Sequence, residues 1–212
     1  MGRIKKGILG GFSGKVGAVV GASWRGVDYM RGLPKLSTKP ATTAQLAQQN
    51  KMGLVWGFLS GVQDLINDRF QNFKKSTPMN DVISYSLLHT IVGAYPEQQI
   101  DLPKFLFSKG ELMGCWRPEV DSVESGAIEF SWTNGNFMLL RAADDLVTVV
   151  VYDPIEKKLC ILKDAAKRKA ARVKILLPPT FSKHKVHCYI SFYSKNRKLA
   201  STSEYIGQVV VA

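Results

Sequence analysis

The chain has 212 residues, 45% hydrophobic and 10% aromatic; that is enough for a packed core and excludes a chain disordered throughout. Its formal charge is +12, so its surface attracts anions: nucleic acid, anionic lipid or an acidic protein. The three cysteines, Cys115, Cys160 and Cys188, are odd in number and far apart. That points to buried free thiols rather than a disulfide framework or a zinc site, although spacing alone leaves one disulfide open.

Residues 1–40 hold nine of the eighteen glycines and eight Lys or Arg against one acid, Asp28. "KVGAVVGASW" reads as one strand and "VDYMRGL" as a second, with Arg25 and Gly26 between them as the turn. This Gly-rich basic β-ribbon, or arm, is marginal by itself. Residues 41–101 read as helical. Pro40 precedes Thr42 and Thr43, both good N-caps, and Ala44, Ala47, Leu54, Val55 and Phe58 share a face. Val62, Leu65, Ile66, Arg69, Phe70 and Phe73 then follow three-four spacing from Gly61 to Lys74. Thr77 and Pro78 open a third helix, through about Ile91, with Val82, Ile83 and Leu87 inward and Gly93 and Pro96 closing it. The expectation is a short helical hairpin or small bundle.

Residues 102–212 are strand-like. Seven runs, "FLFSKGELMGCW", "GAIEFSW", "DLVTVVVYD", "KKLCILK", "ARVKILLP", "KVHCYISFYS" and "SEYIGQVVV", are separated by turn residues. That spacing predicts a β-sandwich. Ile128, Phe130 and Trp132 point one way. Val186, Cys188, Ile190 and Phe192 alternate with His187, Tyr189, Ser191 and Tyr193, so one face is core and the other polar or amphipathic. The places of Trp132, Tyr152 and Tyr189 favour a fibronectin-type-III-like or immunoglobulin-like sandwich, without the cysteine pair of antibody domains. The fold class is therefore α+β: ribbon, helices, sandwich.

No motif supports catalysis. In "GGFSGKVG", Gly10 and Gly14 are separated by three residues and Lys15 is followed by Val16, so the phosphate-loop spacing and its hydroxyl are missing. His184 and His187, three apart on one predicted strand, face opposite ways. His89 sits near a helix end, and Asp144 and Asp145 read as a loop. No nucleophile, base and orienter stand at a defensible spacing. The expectation is a protein without enzymatic activity, cofactor or metal. Candidate anion-binding bases are Lys163, Lys167, Arg168, Lys169 and Arg172, with Lys195, Arg197 and Lys198. Scattered bases suffice for weak phosphate contact. Trp24 and Tyr29 beside Arg25 and Arg31 could stack on bases or pack in an interface.

The ribbon's glycines allow close backbone approach. Its unpaired edges attract other strands. Lys15, Val16, Val19, Val20, Trp24, Arg25, Tyr29 and Arg31 are the candidate subunit-interface residues. The segment Gly7–Ala22 is too short to span a bilayer and is interrupted by Lys15. No membrane span is expected, and the chain is expected to begin in the cytoplasm.

"SGKVGAVVGASWRGVDYMRGLPK", "KPATTAQLAQQNKMGLVWGFL" and "CYISFYSKNRKLASTSEYIGQVVV" together resemble an uncharacterised domain family common in Bacteroidota, across nearly the whole chain. The front half is also similar in order of elements to small phage structural proteins: Gly14 and Lys15, Arg31 and Pro34, Pro40 through Gln45, then Trp56. It departs from them at Gln49, where a basic residue is frequent. The resemblance implies a virion or phage-like particle component that binds copies of itself or other subunits. Nucleic-acid contact through the basic clusters is the alternative.

Overall fold

Gly17 and Gly26 set the course of the N-terminal residues. Both have positive φ (59° and 80°), a region that glycine enters without strain. Each turns the chain back on itself, giving strands β1 (Arg3–Ile4), β2 (Phe12–Val16), β3 (Val19–Trp24) and β4 (Val27–Gly32) in antiparallel order. The register pairs Lys15 with Val20, Ala22 with Tyr29 and Trp24 with Val27. The expected single strand over residues 15–24 is thus two strands, because Gly17 sits at a reversal.

The structure, a computed structural model, describes residues 3–4, 10–24, 26–35, 38–71 and 76–212, with residues 3, 4 and 123 described by backbone alone. Phe73, Lys74 and Arg25 lie outside the described residues. The chain divides into two compact units, Met1–Thr42 and Thr43–Ala212. The expected division near residue 101 does not separate units: helices and C-terminal strands form one body.

In that second unit, α1 (Thr43–Leu59), α2 (Gln63–Arg69) and α3 (Pro78–His89) come first. Thr77 caps α3 by accepting from the Asn80 N–H at 3.2 Å, with Pro78 in the first turn. α3 stops at His89, short of Ile91. Ile91–Val92 (β5) pairs instead with Gln99–Ile100 (β6) in a small ribbon. Val55, Phe58, Val62, Leu65, Ile66, Arg69, Phe70 and Val82 are buried, as the periodicity predicts, while Ala44 is exposed.

The remaining strands are β7 (Trp116–Glu124), β8 (Ala127–Thr133), β9 (Leu146–Asp153), β10 (Lys158–Lys167), β11 (Arg172–Leu176), β12 (Lys185–Tyr193) and β13 (Glu204–Val210). They form two antiparallel sheets, β10-β9-β12-β13 and β11-β8-β7. Ile128, Phe130 and Trp132 from one sheet meet Val147, Val149, Val151, Val186, Cys188, Ile190 and Phe192 from the other in a shared core. The chain is therefore a mixed α and β protein with antiparallel sheets, as expected.

Two readings need correction. The first sheet strand is not "FLFSKGELMGCW". That run makes single bridges at Lys109 and Leu112, and its aromatics Phe105 and Phe107 fill the core under the helices. The strand is the next segment, "WRPEVDSVE", whose charges and Pro118 hide its strand character but suit an edge. Second, the Tyr189 face of β12 is not open to solvent. Tyr189 and Val150 are buried against α1, α2 and Phe107, and Tyr189 donates to the Leu102 carbonyl at 2.9 Å. Strands β9 and β12 are apolar on both faces, so a second cover is required, and the helices supply it.

Candidate functional site

The N-terminal unit has little interior. Gly21 is its buried position among the described residues. The Phe12 ring and carbonyl press so closely on Gly21 that a Cβ there would clash, which explains glycine at a strand centre. Every residue of β4 is exposed, and Met30 keeps 70% of its surface. Of the expected interface residues, Lys15, Val16, Val19, Trp24, Tyr29 and Arg31 are exposed and Val20 is half-buried. β4 forms one edge of its sheet, so a row of backbone groups faces outward.

The basic residues expected to bind anions come from stretches far apart in sequence. Pairing of Lys167 and of Tyr193 with Leu146 brings the ends of β10 and β12 to one end of the sheet. There Lys167 and Lys195 share Asp144, at 3.4 and 3.5 Å. Its hydrogen bond with Lys167, and then the charges of both lysines, hold Asp144 below the ordinary carboxylate range. Asp164 takes Arg197 at 3.3 Å and the buried Arg69 at 2.8 Å. Lys163, Lys169, Arg172 and Lys198 are exposed. The fold thus joins two sequence clusters, with carboxylates interleaved.

Arg168 belongs elsewhere, contrary to its reading as a surface base. It is fully buried. Its Nε donates to Asp145 Oδ2 (3.0 Å), Nη1 to the Gly114 carbonyl (2.8 Å) and Nη2 to the Met113 carbonyl (2.7 Å). The guanidinium lies 3.9 Å over the Phe192 ring. The Arg168 carbonyl accepts from Trp132 Nε1 (3.0 Å) and Asn134 Nδ2 (2.9 Å). Burial lowers the Arg168 pKa and raises that of Asp145, in each case against the partner's attraction. Arg168 fastens a loop junction and offers no charge to an external ligand.

The histidines are separate. His184 Nδ1 lies 2.6 Å from Asp153 Oδ2, and His187 Nδ1 lies 3.0 Å from the Tyr205 hydroxyl. Burial works to raise the Asp153 pKa, but hydrogen bonds from His184 and the Ile155 and Glu156 N–H groups outweigh it and hold it low. All three cysteines are free thiols. Burial pushes Cys115 and Cys188 up to about 12 and raises Cys160, which suppresses thiolate chemistry. A groove of about 590 Å³ runs beside α1, lined by Asn50, Gly53, Gly57, Phe58, Tyr152 and Leu159. Burial raises the Tyr152 phenol in its wall, and the groove gathers no nucleophile–base pair.

Sequence reasoning missed one surface. Between β8 and β9, Met138 and Arg141 exchange backbone hydrogen bonds (3.0 and 2.9 Å), which makes a tight turn with Leu139 at its apex. Leu139 is 92% exposed, and Phe137, Met138, Trp116 and Met113 are also exposed. Four apolar residues in succession, Phe137 to Leu140, after the turn signal "NGN" were the legible sign.

Comparison with curated proteins and with solved structures finds no match. A family model described as a family of unknown function, DUF6266, matches residues 11–207, and the chain belongs to that family.

Proposed function

We propose that this is a non-enzymatic structural or assembly protein that self-associates through its N-terminal unit and serves in a phage- or prophage-like particle. One observation carries the reading: β4 exposes all six residues, among them Val27, Tyr29 and Met30, beside the exposed Val16, Val19 and Trp24. A small sheet is stable only when an apolar face is covered, and a free strand edge gives main-chain affinity to a neighbour. A second copy supplies both. The particle assignment rests on the resemblance of the front half of the sequence to small phage structural proteins. Placement of the fourth strand, β10, beside β9 supports a fibronectin-type-III-like sandwich over the antibody constant form, whose fourth strand joins the opposite sheet.

Size-exclusion chromatography with light scattering tests this. The parent chain should form oligomers, and Met30→Asp or Tyr29→Asp should shift it to monomer while leaving the second unit folded. A parent that stays monomeric at high concentration removes the reading. Capsid, portal or tail genes beside its own would support the particle assignment, and housekeeping neighbours would weaken it.

A further inference from the structure

We propose that the end of the second unit carrying the β8–β9 turn is a docking surface for an anionic membrane. The apex is aliphatic and held outward. Leu139 is 92% exposed, and the paired hydrogen bonds between Met138 and Arg141 fix the turn beneath it. Phe137 and Met138 flank it, each about half exposed. Trp116 stands against the same loop: its ring lies under the Arg141 guanidinium at 4.7 Å and against Gly135. Exposed apolar runs of this kind mark contact surfaces.

Cations gather at the C-terminal end of the same loop. The Lys169 N–H donates to the Ala143 carbonyl of the same loop at 3.0 Å, and Lys167 and Lys195 meet at Asp144 within it. Their side chains remain half or more exposed at Lys167 and Lys195 (51% and 71%). An apolar tip on a loop whose far end gathers lysines needs a partner that is anionic at its surface and apolar just beneath. An anionic bilayer has that layering: lysines reach headgroup phosphates while Leu, Phe, Met and Trp enter the acyl boundary. Nucleic acid matches the charge, and Phe137 and Trp116 offer rings to a base, but the apex itself, Leu139 with Met138, offers none and would stay in water. This surface belongs to the second unit, and none of its residues is among those assigned to self-association. No helix among the described residues is long and apolar enough to cross a membrane, so the contact is peripheral.

The test is co-sedimentation of the full chain with vesicles of phosphatidylcholine containing about one quarter phosphatidylglycerol, at roughly 0.1 M salt, where charges still act over about 10 Å. Binding is expected to these vesicles and not to phosphatidylcholine alone. Leu139→Glu should weaken it about tenfold, the loss expected from keeping one large apolar side chain out of the boundary. Lys167→Glu with Lys195→Glu should weaken it similarly and flatten its salt dependence. All three positions are exposed, so unchanged thermal melting confirms that the fold is intact. Three results overturn the proposal. The first is no vesicle binding, and the second is binding indifferent to Leu139→Glu, which would leave the charge of the N-terminal unit as its cause. The third is Leu139→Glu dissolving oligomers without changing vesicle binding, which would make the apex a protein contact. Binding to a single-stranded oligonucleotide that survives Leu139→Glu but not the lysine changes, with no vesicle binding, would assign the lysines to nucleic acid instead.

Discussion

Replacing Arg168 by Met keeps most of the buried aliphatic volume and removes the charge and every side-chain donor. In the parent those donors reach Asp145, Gly114 and Met113 between 2.7 and 3.0 Å. After the change, the Asp145 carboxylate, 1% exposed, keeps the Ala142 N–H at 2.9 Å but loses its counter-ion. Two carbonyls lose a partner as well. Removing one member of a buried ion pair costs about 3–5 kcal/mol. For a chain of this size each kcal/mol lowers Tm by about 2–4 °C, so Arg168→Met should melt roughly 6–20 °C below the parent. Urea unfolding followed by far-UV circular dichroism measures the loss directly. Adding Asp145→Asn should recover part of it, because the stranded charge is then gone. Lys167→Ala and Lys169→Ala, on either side in sequence, should each stay within about 0.5 kcal/mol. A loss below about 1 kcal/mol for Arg168→Met, or strict additivity with Asp145→Asn, would refute the assignment of Arg168 as a fastening residue.

Two further outcomes follow from buried titratable groups. The Asp153 pKa is held low in the folded chain, so its stabilisation is present above the unfolded value of about 3.9 and is lost as pH falls through the folded value. Asp153→Asn should therefore cost about 1–3 kcal/mol near neutrality and progressively less in acid, read from urea midpoints across pH; a pH-independent difference would contradict this. Native-state alkylation followed by mass spectrometry should label Cys160 before Cys188, which is fully buried and pushed to about 12; fast labelling of Cys188 would show that the inter-sheet core opens readily.

Some of the candidate surface was legible because it is written in consecutive residues. Glycines at three-four spacing with valines between them marked the ribbon, and the lysine and arginine runs marked the basic stretches. Charge type alone could not tell Arg168 from Lys167 and Lys169. The difference arises because the chain after β10 tucks inward at Arg168, where an acid 23 residues earlier and carbonyls more than 50 residues earlier receive its donors. The meeting of Lys167 with Lys195 likewise depends on β9 lying between β10 and β12.

The sequence by itself determined the helices, six of the seven sheet strands and, on β8 and β12, the residues that face the inter-sheet core, because periodicity and caps act over a few neighbouring residues. Tertiary structure decided the remainder. It made "WRPEVDSVE" an edge strand, laid the helices over the second apolar face of β9 and β12, buried Arg168, and lifted Leu139 out to solvent. Each of those outcomes depends on which distant segment arrives to cover, pair with or leave open a given residue, and that is a property of the packed chain.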